Sequence, residues 1–229
     1  MDVQVRSEGG GVHSPGSSTG RRLMEMYRLM LDRFGPQGWW PAENPFEMMV
    51  GAVLTQNTNW SNVARAVENL RREELLDVHR LHDVPPEDLA AAIRPAGYFN
   101  IKAGRLKNLI RFIMERYGGE VDLMLQEGPD ALRHGLLGIK GIGPETADSI
   151  ALYAAQHPFF VVDAYTHRIL ARHRMVEEQA SYYEIQELFM DALPVDVPLY
   201  QEFHALIVRT GKDCCRKKPR CEICPIQGV

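Results

Sequence analysis

The chain has 229 residues, 45% of them hydrophobic and 24% charged, with a formal net charge of -4. That length supports one large domain or two small ones around a substantial core, and no apolar run approaches the roughly 20 residues of a membrane span. The charge does not advertise a nucleic-acid binder, so attraction to DNA must come from local patches; no apolar signal core opens the chain, which makes a cytoplasmic enzyme the default expectation. Residues 1–19 are rich in Gly and Ser, lack an apolar pattern and read as a disordered tail. From Arg21 onward the period is helical, with Leu23, Met26, Tyr27, Met30 and Leu31 on one face. A loop over 35–44 carries Pro36, Trp39, Trp40 and Pro41, and Asn44 followed by Pro45 has the form of a helix start. Phe46, Met49, Val50, Val53 and Leu54 make the next helix apolar almost all round, which predicts the central buried one.

Val63, Val67 and Leu70 mark a further helix, with Ser61 as its candidate cap. Pro85-Pro86 opens a short helix through Ile93, and Leu106, Leu109, Ile110 and Ile113 continue the helical spacing. A turn from Pro129 leads into a glycine loop, and helices follow near 165–174, 180–192 and 197–211. Only 159–162 resembles a strand, too short to build a sheet. The fold class is all-α, without internal repeat or heptad, and a monomer is expected.

The glycine loop is the most informative stretch. It runs Leu136-Leu137-Gly138-Ile139-Lys140-Gly141-Ile142-Gly143-Pro144-Glu145-Thr146-Ala147-Asp148, and Asp163 stands 20 positions after its last glycine. Gly141 and Gly143 can take positive φ and lack a Cβ, so the backbone can press against a ligand. Pro144 suits a first helical turn. The exposed N–H groups of such a turn suit a DNA phosphate.

This segment resembles the helix-hairpin-helix, Gly/Pro-rich loop and aspartate of the endonuclease III superfamily of DNA glycosylases. Three further stretches, Trp39-Trp40-Pro41, Gly51-Ala52-Val53-Leu54-Thr55-Gln56-Asn57-Thr58 and Arg94-Pro95-Ala96-Gly97-Tyr98-Phe99-Asn100 with Lys102-Ala103, are similar to its 3-methyladenine glycosylase branch. The resemblance covers about 21–229 and implies two helical domains flanking a DNA-binding cleft. Residues 43–154 would form a six-helix barrel ending in the hairpin. Residues 155–229 would form a C-terminal iron–sulfur-type helical domain, joined by the first helix and aromatic loop at 20–42.

The resemblance makes Asp163 the catalytic carboxylate that stabilises an oxocarbenium-like sugar and orients water; an N-cap is its structural alternative. Bifunctional members carry a lysine nucleophile where this chain has Glu145, which cannot form an imine. A monofunctional enzyme without lyase activity is therefore expected. Glu145 is read first as an acid suited to a helix start. An alkylated purine already carries positive charge, and its recognition calls for aromatic faces. The resemblance places Trp39, Trp40, Pro41 and Trp60 around that base, and Tyr98 and Tyr165 lie near the same motifs. For any one of these aromatics, core packing is an equal alternative. Gln56 falls at the position that fills the gap left by a flipped base, or else is a helix cap. Lys140, Gly141 and Gly143 would meet phosphates of the partner, double-stranded DNA with damaged bases, near the nucleoid in a bacterium or archaeon.

All four cysteines fall together as Cys214, Cys215, Cys221 and Cys224, which suits a metal or iron–sulfur site rather than a disulfide framework. Cys214, Cys221 and Cys224 reproduce the first three ligands of the superfamily's [4Fe–4S] motif. The fourth falls one position past Val229 or is supplied by Cys215; zinc bound by four thiolates is a further alternative. Arg216, Lys217, Lys218 and Arg220 lie between the cysteines, a solvated loop by themselves and a phosphate contact if a cluster presents them. Removal of alkylated purines is the leading function. Its rivals are a glycosylase for mismatched uracil or thymine, a noncatalytic helix-hairpin-helix binder, and an iron–sulfur redox sensor.

Overall fold

The computed structural model describes residues 16–229. The tail expected over 1–19 lies outside it as far as residue 15. Ser18 and Thr19 already belong to α1 (Ser18–Phe34), because the Ser17 hydroxyl accepts the Gly20 N–H at 3.0 Å and starts the helix earlier than its apolar pattern. α2 (Pro45–Thr55) begins at Asn44, whose side chain accepts from the Glu47 N–H at 2.9 Å, and is buried throughout 46–54. α3 (Trp60–Arg72) starts one residue earlier than its expected cap at Ser61. Asn59 takes the capping position, accepting the Asn62 N–H at 3.1 Å.

The chain continues through α4 (Val78–Asp83), α5 (Pro86–Ala92), α6 (Phe99–Tyr117), α7 (Val121–Leu125), α8 (Pro129–Leu137) and α9 (Pro144–Ser149), the last running on into a single π-helical turn, Ile150–Ala154. α10 (Ala164–Arg172), α11 (Tyr182–Ala192) and α12 (Val197–Asp213) complete it. No described residue is in a strand, and no helix among them is long and apolar enough to cross a membrane. Phe160 and Val161 are apolar because they are fully buried, not because they pair.

Two compact units result. One holds residues 16–37 together with Val162–Val229, and the other holds Gly38–Val161. In the first, α1 packs on α12, with the Tyr27 ring edge-on to Phe203 at 5.3 Å and Phe189 against the same ring at 5.4 Å. The boundaries differ from the expected 42/43 and 154/155 for packing reasons. Trp40 packs edge-to-face on Trp60 and tilted against Tyr153, which takes the aromatic loop into the α2–α9 unit. His157 bonds to the Glu127 carbonyl at 2.8 Å, and the Arg133 guanidinium sits 5.3 Å over the Phe159 ring, so 155–161 stay with that unit too.

Inside the α2–α9 unit, Lys102 is 1% exposed, and its Nζ donates to the carbonyls of Leu54 and Ala96, both at 2.8 Å. This fixes the end of α2 just before Gln56. Burial, aided by the Arg105 guanidinium, pushes its pKa down from 10.5 to about 8. Below about pH 8 the folded and unfolded chains both carry the charge; above it the folded lysine loses its proton first. Stability should therefore climb by on the order of 3 kcal/mol between pH 8 and 10.5. The neutral amine keeps two N–H donors for its two carbonyls. Urea unfolding across that range should show the climb in the parent and not in Lys102→Met, which should also be less stable at neutral pH because two buried carbonyls lose their donor.

Candidate functional site

The hairpin joins α8 to α9. Gly141 has φ of +97°, and a Cβ there would stand 2.5 Å from Arg105 Cγ, so both conformation and space demand glycine. Gly143 departs from the expected positive φ: it is extended (φ -97°, ψ 178°) and would place a Cβ in open space. Its missing side chain leaves room for a ligand to approach the loop. The loop is held from three sides. Gln56 Nε2 donates to the Gly141 carbonyl (3.1 Å) and to Thr146 Oγ1 (2.9 Å), Arg105 donates to the Gln56 amide oxygen, and Asn108 Nδ2 donates to the Lys140 carbonyl (2.9 Å). Gln56 is thus a strut between the end of α2 and the hairpin; filling a gap in a duplex would take those bonds apart. Beneath the loop, Asp148 is fully buried and paired bidentately with Arg133 (2.6 and 3.1 Å), clamping α9 to α8. Lys140 is exposed, as is Glu145 in the first turn of α9.

The tryptophans converge. Trp39 lies 5.0 Å from Trp40 and 4.9 Å from Trp60, and Trp40 lies 5.4 Å from Trp60 at 89°. Such spacings and tilts are those of favourable aromatic pairs. Tyr153, from the π-helical turn, closes on Trp40 at 5.5 Å. Sequence reasoning missed it because one tyrosine in an apolar helix looks like core. Trp40 lies against α2, where a Cβ on Gly51 would stand 3.2 Å from Trp40 Nε1. The indole nitrogens of Trp39 and Trp40 are buried and meet no hydrogen-bond partner among the described residues. An unpaired buried donor is costly, and so is available to an incoming acceptor. A cavity of about 280 Å3 beside the rings is lined by Trp40, Pro41, Trp60, Glu47 and Arg71, the last two ion-paired at 2.9 Å.

The other two expected pocket residues, Tyr98 and Tyr165, have surroundings of their own. Tyr98 is the left-handed residue before α6 and is 68% exposed, outside the ring cluster, because the chain turns there between two helical segments. Tyr165 belongs to the other unit, where its ring fills the space over Gly211 and the Arg168 guanidinium covers it at 5.0 Å.

Asp163 caps α10. Its Oδ1 accepts both the Thr166 N–H (2.7 Å) and the Thr166 hydroxyl (2.8 Å). Oδ2 faces His204 Nε2 at 4.0 Å, and the Asp163 side chain is 11% exposed. Cap and chemistry can therefore coexist, one oxygen for each. Burial holds the His204 imidazole below its ordinary pKa of 6.5, against the opposing pull of Asp163.

All four cysteines are free thiols and line one cavity of about 490 Å3 with Arg22, Arg172 and His173. Burial pushes the Cys214 and Cys224 thiols up. Arg172 donates to Cys215 Sγ at 3.2 Å and to the carbonyls of Arg216 (2.6 Å) and Lys217 (3.1 Å), anchoring the root of the basic loop. Arg216, Lys217, Lys218 and Arg220 are exposed. Among the described residues no three His, Cys, Asp or Glu side chains converge as a single-ion site. Four cysteines around one cavity supply the all-thiolate donor set that an iron–sulfur cluster takes.

The chain is similar along most of its length to several known proteins. A protein of Methanocaldococcus jannaschii, provisionally named a DNA repair glycosylase, is 49% identical over 207 residues, spanning 90% of this chain and 94% of that one. Endonuclease III of Thermotoga maritima is 31% identical over 186 residues, 79% of this chain and 80% of its own. The crystal structure of H. pylori 3-methyladenine DNA glycosylase bound to 1,N6-ethenoadenine superposes with a TM-score of 0.73 at 29% identity, covering 85% of this chain and 97% of that one. Residues 50–195 match the HhH-GPD superfamily of base excision DNA repair proteins, and the chain belongs to that family.

Proposed function

We propose that this DNA repair glycosylase is monofunctional and hydrolyses the N-glycosidic bond of alkylated purines in double-stranded DNA. The observation that carries the reading is the convergence of all three tryptophans, 4.9 to 5.4 Å apart, at one place. A cluster of indole rings suits a cationic base better than a neutral pyrimidine, which would want amide or backbone partners. The hairpin around Lys140, Gly141 and Gly143 holds phosphates, and the flipped base is received by Trp39, Trp40, Pro41 and Trp60. As the C1′–N bond breaks, its electron pair leaves with the base. Asp163 Oδ2 stabilises the positive sugar and orients water, whose oxygen bonds to C1′ while its proton passes to the carboxylate or the departing base.

Cys214, Cys215, Cys221 and Cys224 would hold a [4Fe–4S] cluster that supplies structural pinning of the C-terminal segment. The 216–220 loop is then presented to DNA phosphates. The enzyme would act as a monomer on the DNA of the cytoplasm.

Single-turnover excision from duplexes bearing one lesion each tests the substrate. An alkylpurine should be removed at least about 100-fold faster than thymine or uracil opposite guanine; the reverse order would assign the enzyme to mismatched pyrimidines. Borohydride should trap no covalent protein–DNA complex, since Glu145 offers no amine. Trapping at the level of a bifunctional enzyme would show that another amine attacks the sugar.

A further inference from the structure

His204 sits on α12 within reach of the one Asp163 oxygen that the helix cap does not use. Oδ1 is saturated by the Thr166 N–H and hydroxyl, while Oδ2 lies 4.0 Å from His204 Nε2, just beyond hydrogen-bond length. The gap is too small for a bridging water, so a shift of about 1 Å would make a direct contact. Both groups are held by well-packed elements: α10 and α12 pack on each other, and His204 is 5% exposed.

We propose that His204 is a positioning residue for Asp163, holding Oδ2 toward the sugar through Nε2. The inference rests on the assignment of Asp163 to the chemistry. Its imidazole is neutral because burial disfavours the cation, so it acts as a dipole rather than as a counter-charge. The charged group acting on it is Asp163, from α10. Tyr200, one turn earlier on α12, and Tyr27 of α1 are phenols whose pKa values burial raises further above 10.0. Arg168 of α10 is committed to the carbonyls of Gly211 and Cys215.

The test compares two amide variants by the rate of single-turnover excision, with DNA affinity and melting temperature measured in parallel. His204→Gln can place its amide nitrogen where Nε2 stands, whereas His204→Asn places it nearer Nδ1. The Gln variant should keep the parent's rate. The Asn variant should slow excision about tenfold, with DNA affinity and melting temperature unchanged. Equal rates for parent and Asn variant would overturn the proposal, as would an equal loss in both variants. Asp163→Asn separates the two levels. If it still excises, the assignment of Asp163 fails; if it is inactive and the Asn variant of His204 keeps the parent's rate, only the role of His204 fails.

Discussion

Asp163→Asn should lower single-turnover base excision by about a thousandfold or more while DNA affinity changes little. The amide preserves the structural half of the residue: asparagine is as good an N-cap as aspartate, and its carbonyl oxygen can still accept the Thr166 N–H that Oδ1 accepts in the parent at 2.7 Å. What it removes is the negative charge at Oδ2. The melting temperature should stay near the parent's, which separates chemistry from packing. Asp163→Ala, by contrast, should lose excision and about 1 kcal/mol of stability together. A parent-like rate for the Asn variant would leave Asp163 as a cap and nothing more.

Asp148→Ala should cost about 3–5 kcal/mol of stability, because the pair it breaks is bidentate and fully buried at the carboxylate. Exposed pairs such as Arg80–Glu74 are screened by water and contribute far less. The cost falls on the hairpin, since the pair is the clamp between α8 and α9. Denaturant unfolding should show the loss, and DNA affinity should fall with it as the loop loses its support. Replacing both partners with apolar residues of similar volume should recover much of the stability, because no buried charge is then left alone. A loss under about 1 kcal/mol in the single variant would mean that water reaches the Arg133 guanidinium left behind.

The elements with strong periodic or capping signals were legible before any coordinates. α2 is apolar on every side and carries Asn44 and Pro45 at its start, and it is the buried centre of its unit. α4 and α7, with six and five residues, are too short to show a helical period. The cap of α3 went to Asn59 rather than Ser61 because both side chains are suitable and only the backbone decides which residue begins the turn.

The candidate site divides in the same way. The tryptophans and cysteines are rare residue types, Gly141 and Asp163 stand in a recognisable order, and each tryptophan reaches the same cluster. Tyr98 and Tyr165 had the same sequence proximity, but proximity along a chain does not fix where a ring points. Tyr153 and His204 were silent because a single polar or aromatic residue in a helix gives no periodic signal, and their partners lie far away in sequence. Gln56 was visible as a position, while its bonds to the hairpin depend on a contact 85 residues distant.

The most direct measurement is identification of the free bases released from a methylated duplex in a single turnover, by the parent and by Asp163→Asn side by side. Release of 3-methyladenine or 7-methylguanine by the parent, and none by the variant, is the predicted result. Intact DNA binding with no methylated purine released would contradict it, and removal of uracil or thymine from mismatches would then be the reading to test.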